Sequence, residues 1–71
     1  MKEVILTKDF IELYILLKLE SLASSGGEAK FFISQGQVLV NGVVETRKRK
    51  KLTAGDIVEF SGSKIVIKLA E

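Results

Sequence analysis

Apolar residues change their spacing along the chain, and each change marks a predicted element. Near the start, Val4-Ile5-Leu6 is a short β-like run that favours an edge strand, and residues 10–11 favour a second brief extended piece. From Leu13 to about Leu22 the apolar residues recur at helical spacing without Gly or Pro, which predicts a first helix. Its stripe is expected to comprise Leu13, Leu16, Leu17 and Glu20, widened by Ile15, Leu19 and Leu22.

A second helix is predicted from about Gly26 to Gln35. Ser25 precedes Glu28 by three positions, which is the spacing of a capping box, and Gly36 supplies a left-handed stop. Two short helices joined by a tight turn predict a helical hairpin. The core-facing residues of the second helix have i, i+3, i+4 spacing and are Ala29, Phe32 and Ile33.

The second half of the chain has the alternation and turn signals of a β-sheet. Asn41-Gly42 separates two β-rich runs, which predicts a hairpin with a type I′ turn. Residues 54–56 form a second turn before a strand at 57–60, and residues 64–69 form a last strand with Ile65, Ile67 and Leu69 on one face. We therefore predict an α+β fold in one domain, residues 1–71, with the two-helix hairpin packed on a small antiparallel sheet.

Composition supports a small globular domain. The 71 residues are 46% hydrophobic and 28% charged, which separates the chain from disordered sequences. No apolar stretch is long enough to span a bilayer, the opening residues do not resemble a signal peptide, and there is no Cys. We expect a monomer in the cytoplasm that does not contact a membrane.

The residues that the chain lacks argue against catalysis. Without His or Cys, the usual imidazole acid–base, thiolate and zinc sites cannot form, and the nine carboxylates show no paired spacing. There is no glycine-rich motif of the kind that cradles nucleotide phosphates. We predict a protein that is not an enzyme and requires no cofactor or metal.

Five of the eleven basic residues are consecutive, from Arg47 to Lys51. This run carries +5 and the rest of the chain carries −3, so the formal net charge of +2 conceals a local excess. Such a run is favourable beside phosphates, whose counterions it releases, and arginine can contact a phosphate through two hydrogen bonds. A solvated loop that aids only solubility is the alternative. Not all five side chains are expected to touch a ligand at once, and Lys50 or Lys51 can point away.

The order of elements closely resembles the S4-like RNA-binding domain, also called the αL motif. A helix is followed by Ser-Gly-Gly-Glu-Ala-Lys, a second helix, Gly-Gln-Val-Leu-Val-Asn-Gly and a basic loop. More narrowly, residues 16–20 and 44–50 and the length of 71 residues look like the small stand-alone bacterial proteins of the YbcJ-like group. The S4-like match covers roughly residues 13–60 and is met by Ala29, Phe32, Ile33, Gly36, Val38, Val40, Asn41, Gly42, Gly55, Asp56, Val58 and Phe60.

The resemblance implies RNA binding through the second helix, the turn before it and the loop after the hairpin. It implies ribosomal RNA or another structured RNA as the partner, with ribosomal or RNA-modifying proteins as further partners. The candidate RNA-binding residues are Arg47, Lys48, Arg49, Lys50, Lys51, Lys30, Lys18, Ser25, Gly26, Gly27 and Gln35.

The turn before the second helix has two compatible interpretations. Ser25 can cap the helix, while the backbone amides of Gly26 and Gly27 can also accept a phosphate. Many S4-like domains carry arginine after this serine, so one charged contact is missing at Gly26. Phe31 lies at the margin of the core stripe, where burial against the first helix and stacking on a base both stay open.

Two other functions stay open on the sequence. The first is a protein-interaction module with the S4-like fold, acting in ribosome assembly or translation quality control. The second is an accessory domain related to those appended to RNA-modifying enzymes, which would supply only targeting. DNA binding is disfavoured, because neither helix has the cation-rich face of a helix-turn-helix protein.

Overall fold

The computed structural model describes residues 1–70 of the chain. In chain order these residues form β1 (Lys2–Leu6), β2 (Ile11–Glu12), α1 (Leu13–Leu19), α2 (Gly26–Ser34), β3 (Val38–Val40), β4 (Val43–Val44), β5 (Lys51–Leu52), β6 (Ile57–Phe60) and β7 (Ser63–Leu69). Within this range, neither helix has the length and apolar character needed to cross a membrane.

Five strands form the main sheet in the order β1-β7-β6-β3-β4, and β2 pairs with β5 in a separate two-stranded ribbon. The α+β class and the helical hairpin are confirmed, and β1 lies at an edge as predicted. The sheet is mixed, however, because β1 runs parallel to β7 while the other neighbours are antiparallel. Turn residues such as Asn-Gly predict the pairing only of strands joined by a short turn. The direction in which β1 pairs with the distant β7 could therefore not be predicted from the sequence.

The core lies between the helical hairpin and one face of the sheet. Alternate residues of β6 and β7, at positions 58, 60, 65 and 67, point into it. This agrees with the face predicted for residues 65 and 67, but Leu69 at the end of β7 is exposed. The ring of Phe32 packs on Phe60 with its centroid 4.9 Å away. The largest fully buried side chains are Leu13, Leu16, Leu17, Ile33, Leu52, Ile65, Ile67, Val38 and Val58.

Helix α1 is shorter than the apolar pattern predicts. It ends at Leu19 rather than near Leu22, and the chain then turns through Ser21, which has a φ of 58°. Leu19 itself is 63% exposed, which corrects its assignment to the buried stripe. At 3.6 residues per turn, Leu19 lies about 60° around the helix from Leu16 but about 120° from Leu13 and about 160° from Leu17, at the margin of the one stripe that this seven-residue helix buries.

Helix α2 confirms the predicted start and stop. The hydroxyl of Ser25 accepts a hydrogen bond from the backbone N–H of Glu28 at 3.1 Å. The Glu28 carboxylate turns back and accepts from the backbone N–H of Ser24 at 2.9 Å, one residue earlier than in a standard capping box. Gly36 has a φ of +74°, the left-handed conformation that ends the helix.

The predicted β-hairpin and the turn at residues 54–56 are both present and are joined to each other. Asn41 and Gly42 have φ values of 53° and 82°, as a type I′ turn requires. The Asn41 side chain donates to Asp56 at 3.0 Å and accepts from the backbone N–H of Ile57 at 2.9 Å. Asp56 also accepts from the backbone N–H of Thr53 at 2.8 Å, which confirms its role as a turn residue.

Candidate nucleic-acid interface

The loop between β4 and β5 and the first residue of β5 together form what we call the basic loop (residues 45–51), which is fixed through its backbone. The N–H groups of Leu13 and Tyr14 donate to the carbonyl oxygens of Lys50 and Lys48, at 2.9 and 3.1 Å. The N-cap residue of α1, Glu12, provides no side-chain cap, so the carbonyls of the basic loop satisfy the first N–H groups of this helix. The loop is therefore held in place while four of its cationic side chains stay exposed and that of Lys50 is half-buried.

Four of the five consecutive cations line one concave surface. A turn closed by the hydrogen bond from Lys50 N to Arg47 O, at 3.2 Å, curves the loop around a groove of about 460 Å³. The lining residues are Arg47, Arg49, Lys50 and Lys51. Lys48 is exposed in the same loop without lining the groove, and Lys51 places its ammonium 4.7 Å from the centroid of the Phe10 ring.

Arg47 already has an anionic partner within the protein. Its Nε and Nη2 atoms donate to the two carboxylate oxygens of Glu45, each at 2.9 Å, and its backbone N–H donates to the same group at 3.0 Å. These bonds, led by the side-chain hydrogen bond, lower the pKa of Glu45 to about 2 and raise the pKa of the Arg47 guanidinium. The Glu45 side chain is only 13% exposed, so this pair lowers the charge that Arg47 presents to a ligand.

The pair gives a pH prediction with a defined sign. Because the Glu45 pKa is depressed to about 2 in the folded protein, the pair stabilises the fold above the ordinary glutamate pKa of about 4.3. That stabilisation is lost as the pH falls from there through 2. An NMR titration of the Glu45 carboxyl should show a midpoint near 2, returning toward the ordinary range in Arg47→Ser. A wild-type midpoint near 4 would contradict the pairing.

Tyr14 joins the basic loop to α2. The Lys30 ammonium lies 4.6 Å from the centroid of the Tyr14 ring, and the Arg49 guanidinium carbon lies 5.8 Å from it. A Cβ atom placed on Gly26 would lie 3.7 Å from the same ring, so the start of α2 also rests against it. The structure thus brings together Lys30, Arg49 and Gly26, three of the candidate residues from the second helix, the turn before it and the basic loop.

The start of α2 already carries a negative charge, the carboxylate of Glu28. Ser25 uses its hydroxyl as the helix cap, and Gly27 lies beside it in the first turn. The Glu28 carboxylate, bonded to Ser24, places a negative charge at this helix start. A phosphate near Gly26 and Gly27 would therefore approach a helix terminus whose partial positive charge is already offset in part by the Glu28 carboxylate.

The remaining candidates lie farther from this cluster. Lys18 is exposed one helical turn beyond Tyr14 on the same side of α1, which extends the positive surface along that helix. Gln35 is the C-cap residue of α2, roughly 13 Å along the helix axis from Gly26 at 1.5 Å per residue. The structure therefore places Gln35 at the opposite end of α2 from Gly26.

Phe31 is 57% exposed, with its ring edge-on to Phe32 at a centroid distance of 6.2 Å. Burial against α1 is thus not its environment, and its aromatic surface is accessible beside Lys30. Tyr14 is not among the candidate residues that the sequence pointed to. Its signal was its helical position, away from the stripe of Leu13, Leu16 and Leu17 and in line with Lys18.

Comparisons with known proteins agree with this architecture. A sequence model of the S4 domain matches residues 4–68. The "Putative RNA-binding protein YbcJ" of Escherichia coli K12 is 51% identical over 57 residues, which are 80% of this chain and 81% of that protein. The "Probable ribosome maturation protein RlbA" of Bacillus subtilis 168 is 44% identical over 54 residues, 76% of each chain.

A solved structure shows the same fold. The solution structure of YbcJ from E. coli, whose description reports an αL motif involved in RNA binding, superposes with a TM-score of 0.73 at 46% identity. The superposition covers 96% of this chain and 87% of that one.

Proposed function

This chain belongs to the S4 domain family, and on that premise we propose that it is a non-catalytic RNA-binding protein. The proposed interface is the basic loop together with the N-terminal part of α2. The observation that carries the proposal is the convergence of Arg49 and Lys30 on the Tyr14 ring, which joins the two elements into one positive surface. The names of YbcJ and RlbA support RNA as the ligand and a ribosomal setting.

The mechanism we propose is electrostatic attraction followed by recognition of shape. Phosphate contacts release counterions and position a protein on RNA without reading its sequence, and the A-form major groove is too narrow for side chains to read. The groove lined by Arg47, Arg49, Lys50 and Lys51 gathers four cationic residues around one concave surface, where an RNA backbone would contact them. Arg47 contributes least, because Glu45 competes for it.

The target we propose is ribosomal RNA, or another structured RNA, in the cytoplasm. Crosslinking in cells followed by sequencing of the recovered RNA tests this directly. We expect enrichment of one structured RNA with the wild-type protein and its loss when Arg47, Lys48 and Arg49 are replaced by Ser. Recovery of the same background RNA with both proteins would argue against an RNA interface at the basic loop.

A protein-interaction module is the second candidate, favoured by an exposed apolar edge. Strand β4 is the outermost strand of the sheet beside β3, and its Val43 and Val44 are 68% and 53% exposed. A partner acting in ribosome assembly or translation quality control would bind there or on the basic loop. Its association with this chain would survive ribonuclease treatment, whereas an association mediated by RNA would not.

A further inference from the structure

We propose that Tyr14 is a positioning residue that holds Lys30 and Arg49 in place to receive the same stretch of RNA backbone. The inference rests on the proposed RNA-binding function and assigns a role to a residue that does not itself carry the charge. Tyr14 lies near the start of α1, Lys30 in α2 and Arg49 in the basic loop, so three separate elements meet at one ring.

The Tyr14 ring is fixed on several sides. Its own backbone N–H donates to the Lys48 carbonyl oxygen at 3.1 Å, which ties the residue to the basic loop. The ring is half-buried, packs against the hydrophobic core and lies in contact distance of the Gly26 position. A ring held in this way is a rigid surface on which flexible cationic side chains can rest.

Placing two cations on one ring has a consequence for anion binding. Lys30 and Arg49 lie within roughly 10 Å of each other, about one Debye length at 0.1 M salt, so their charges repel. The negative face of the aromatic ring offsets part of this repulsion. An RNA phosphate between or beside them relieves the rest, and less side-chain freedom is lost on binding because both groups are already ordered.

A purely structural tyrosine would behave differently from a positioning one. If Tyr14 only fills space, its replacement changes stability and lowers RNA affinity regardless of which cations are present. If it acts through Lys30 and Arg49, its effect on affinity disappears once those two charges are removed. A double-mutant cycle separates the two roles.

The test uses the full chain and a fluorescein-labelled RNA hairpin with an A-form stem. Tyr14→Phe keeps the ring, and Tyr14→Leu keeps apolar volume without it, with Tyr14→Met as the substitute if the leucine variant fails to fold. We expect Tyr14→Phe to bind within about twofold of wild type and Tyr14→Leu about fivefold more weakly. In a Lys30→Gln/Arg49→Gln background, Tyr14→Leu should change affinity by less than about twofold.

A second readout does not depend on RNA. Ring currents from Tyr14 should shift the Lys30 side-chain methylene protons in NMR spectra of the wild type and Tyr14→Phe, and the shift should vanish in Tyr14→Leu. Wild-type affinity in Tyr14→Leu, an undiminished effect in the Lys30/Arg49 background, or unshifted Lys30 protons would each overturn the proposal. Failure of the wild type itself to bind the hairpin, with the proton shifts present, would instead contradict the proposed function.

Discussion

Replacing Arg47, Lys48 and Arg49 together by Ser is expected to weaken binding to structured RNA by about 100-fold at 0.1 M salt. The variant loses Arg47, which pairs with Glu45, the exposed Lys48, and Arg49, whose guanidinium lies over the Tyr14 ring. If three to five cations contact phosphates in the wild type, the log–log dependence of affinity on salt should have a slope of roughly −2 to −4. If the three replaced residues are among those contacts, the variant keeps at most two of them and its slope should lie between about 0 and −2, since each lost phosphate contact removes about one unit.

The fold should survive this triple substitution, because the basic loop caps α1 through the backbone carbonyls of Lys48 and Lys50 and not through side chains. A matched control is Lys8→Ser, Lys64→Ser and Lys68→Ser, which lowers the net charge equally at exposed positions outside the basic loop. Fluorescence anisotropy against the same RNA hairpin should show a much smaller loss for the control. Equal losses would mean that net charge alone drives binding, and unfolding of the first variant would mean that the run is structural.

Leu17→Ala is expected to lower the free energy of unfolding by about 2–5 kcal/mol. Leu17 is fully buried in the middle of α1, and its carbonyl oxygen also accepts from the backbone N–H groups of Leu22 and Ala23 in the following turn. Truncation would leave a cavity between the helical hairpin and the sheet. A domain of this size is stabilised by only about 4–10 kcal/mol, so the loss is a large fraction of the total.

Leu19→Ala is the matched control, because it removes the same atoms two residues along the same helix from a side chain that is 63% exposed. Its effect should stay within about 0.5 kcal/mol. Urea unfolding followed by circular dichroism measures both variants under one condition. Comparable destabilisation by the two changes would show that α1 does not face the core as the structure describes.

Elements defined by neighbouring residues were predictable from the sequence. The start of α2 at Ser25 and the turn at Asn41-Gly42 each depend on groups a few residues apart, and both have the predicted geometry. Contacts between distant segments were not predictable in this way. The parallel pairing of β1 with β7 and the early end of α1 at Leu19 depend on what packs against them, which no local pattern specifies.

In the candidate interface, too, local features were predictable from the sequence and contacts between distant segments were not. Consecutive cations from Arg47 to Lys51 were visible as a run, and the structure places them in one loop. The pairing of Arg47 with Glu45 depends on the loop backbone turning both side chains the same way. The meeting of Lys30 with Arg49 on Tyr14 requires the complete tertiary fold, so charge spacing alone could not indicate it.

The adjacency of β1 and β7 sets the order in which a newly made chain can fold. Residues 2–6 are synthesised well before residues 65–69, which are their partner in the sheet. Until β7 has been made, Leu6 and the other core residues that pack beside it lack part of their buried surroundings. The sheet is thus completed only once β7 has been made, and a nascent chain stalled before β7 would be open to proteases and chaperones.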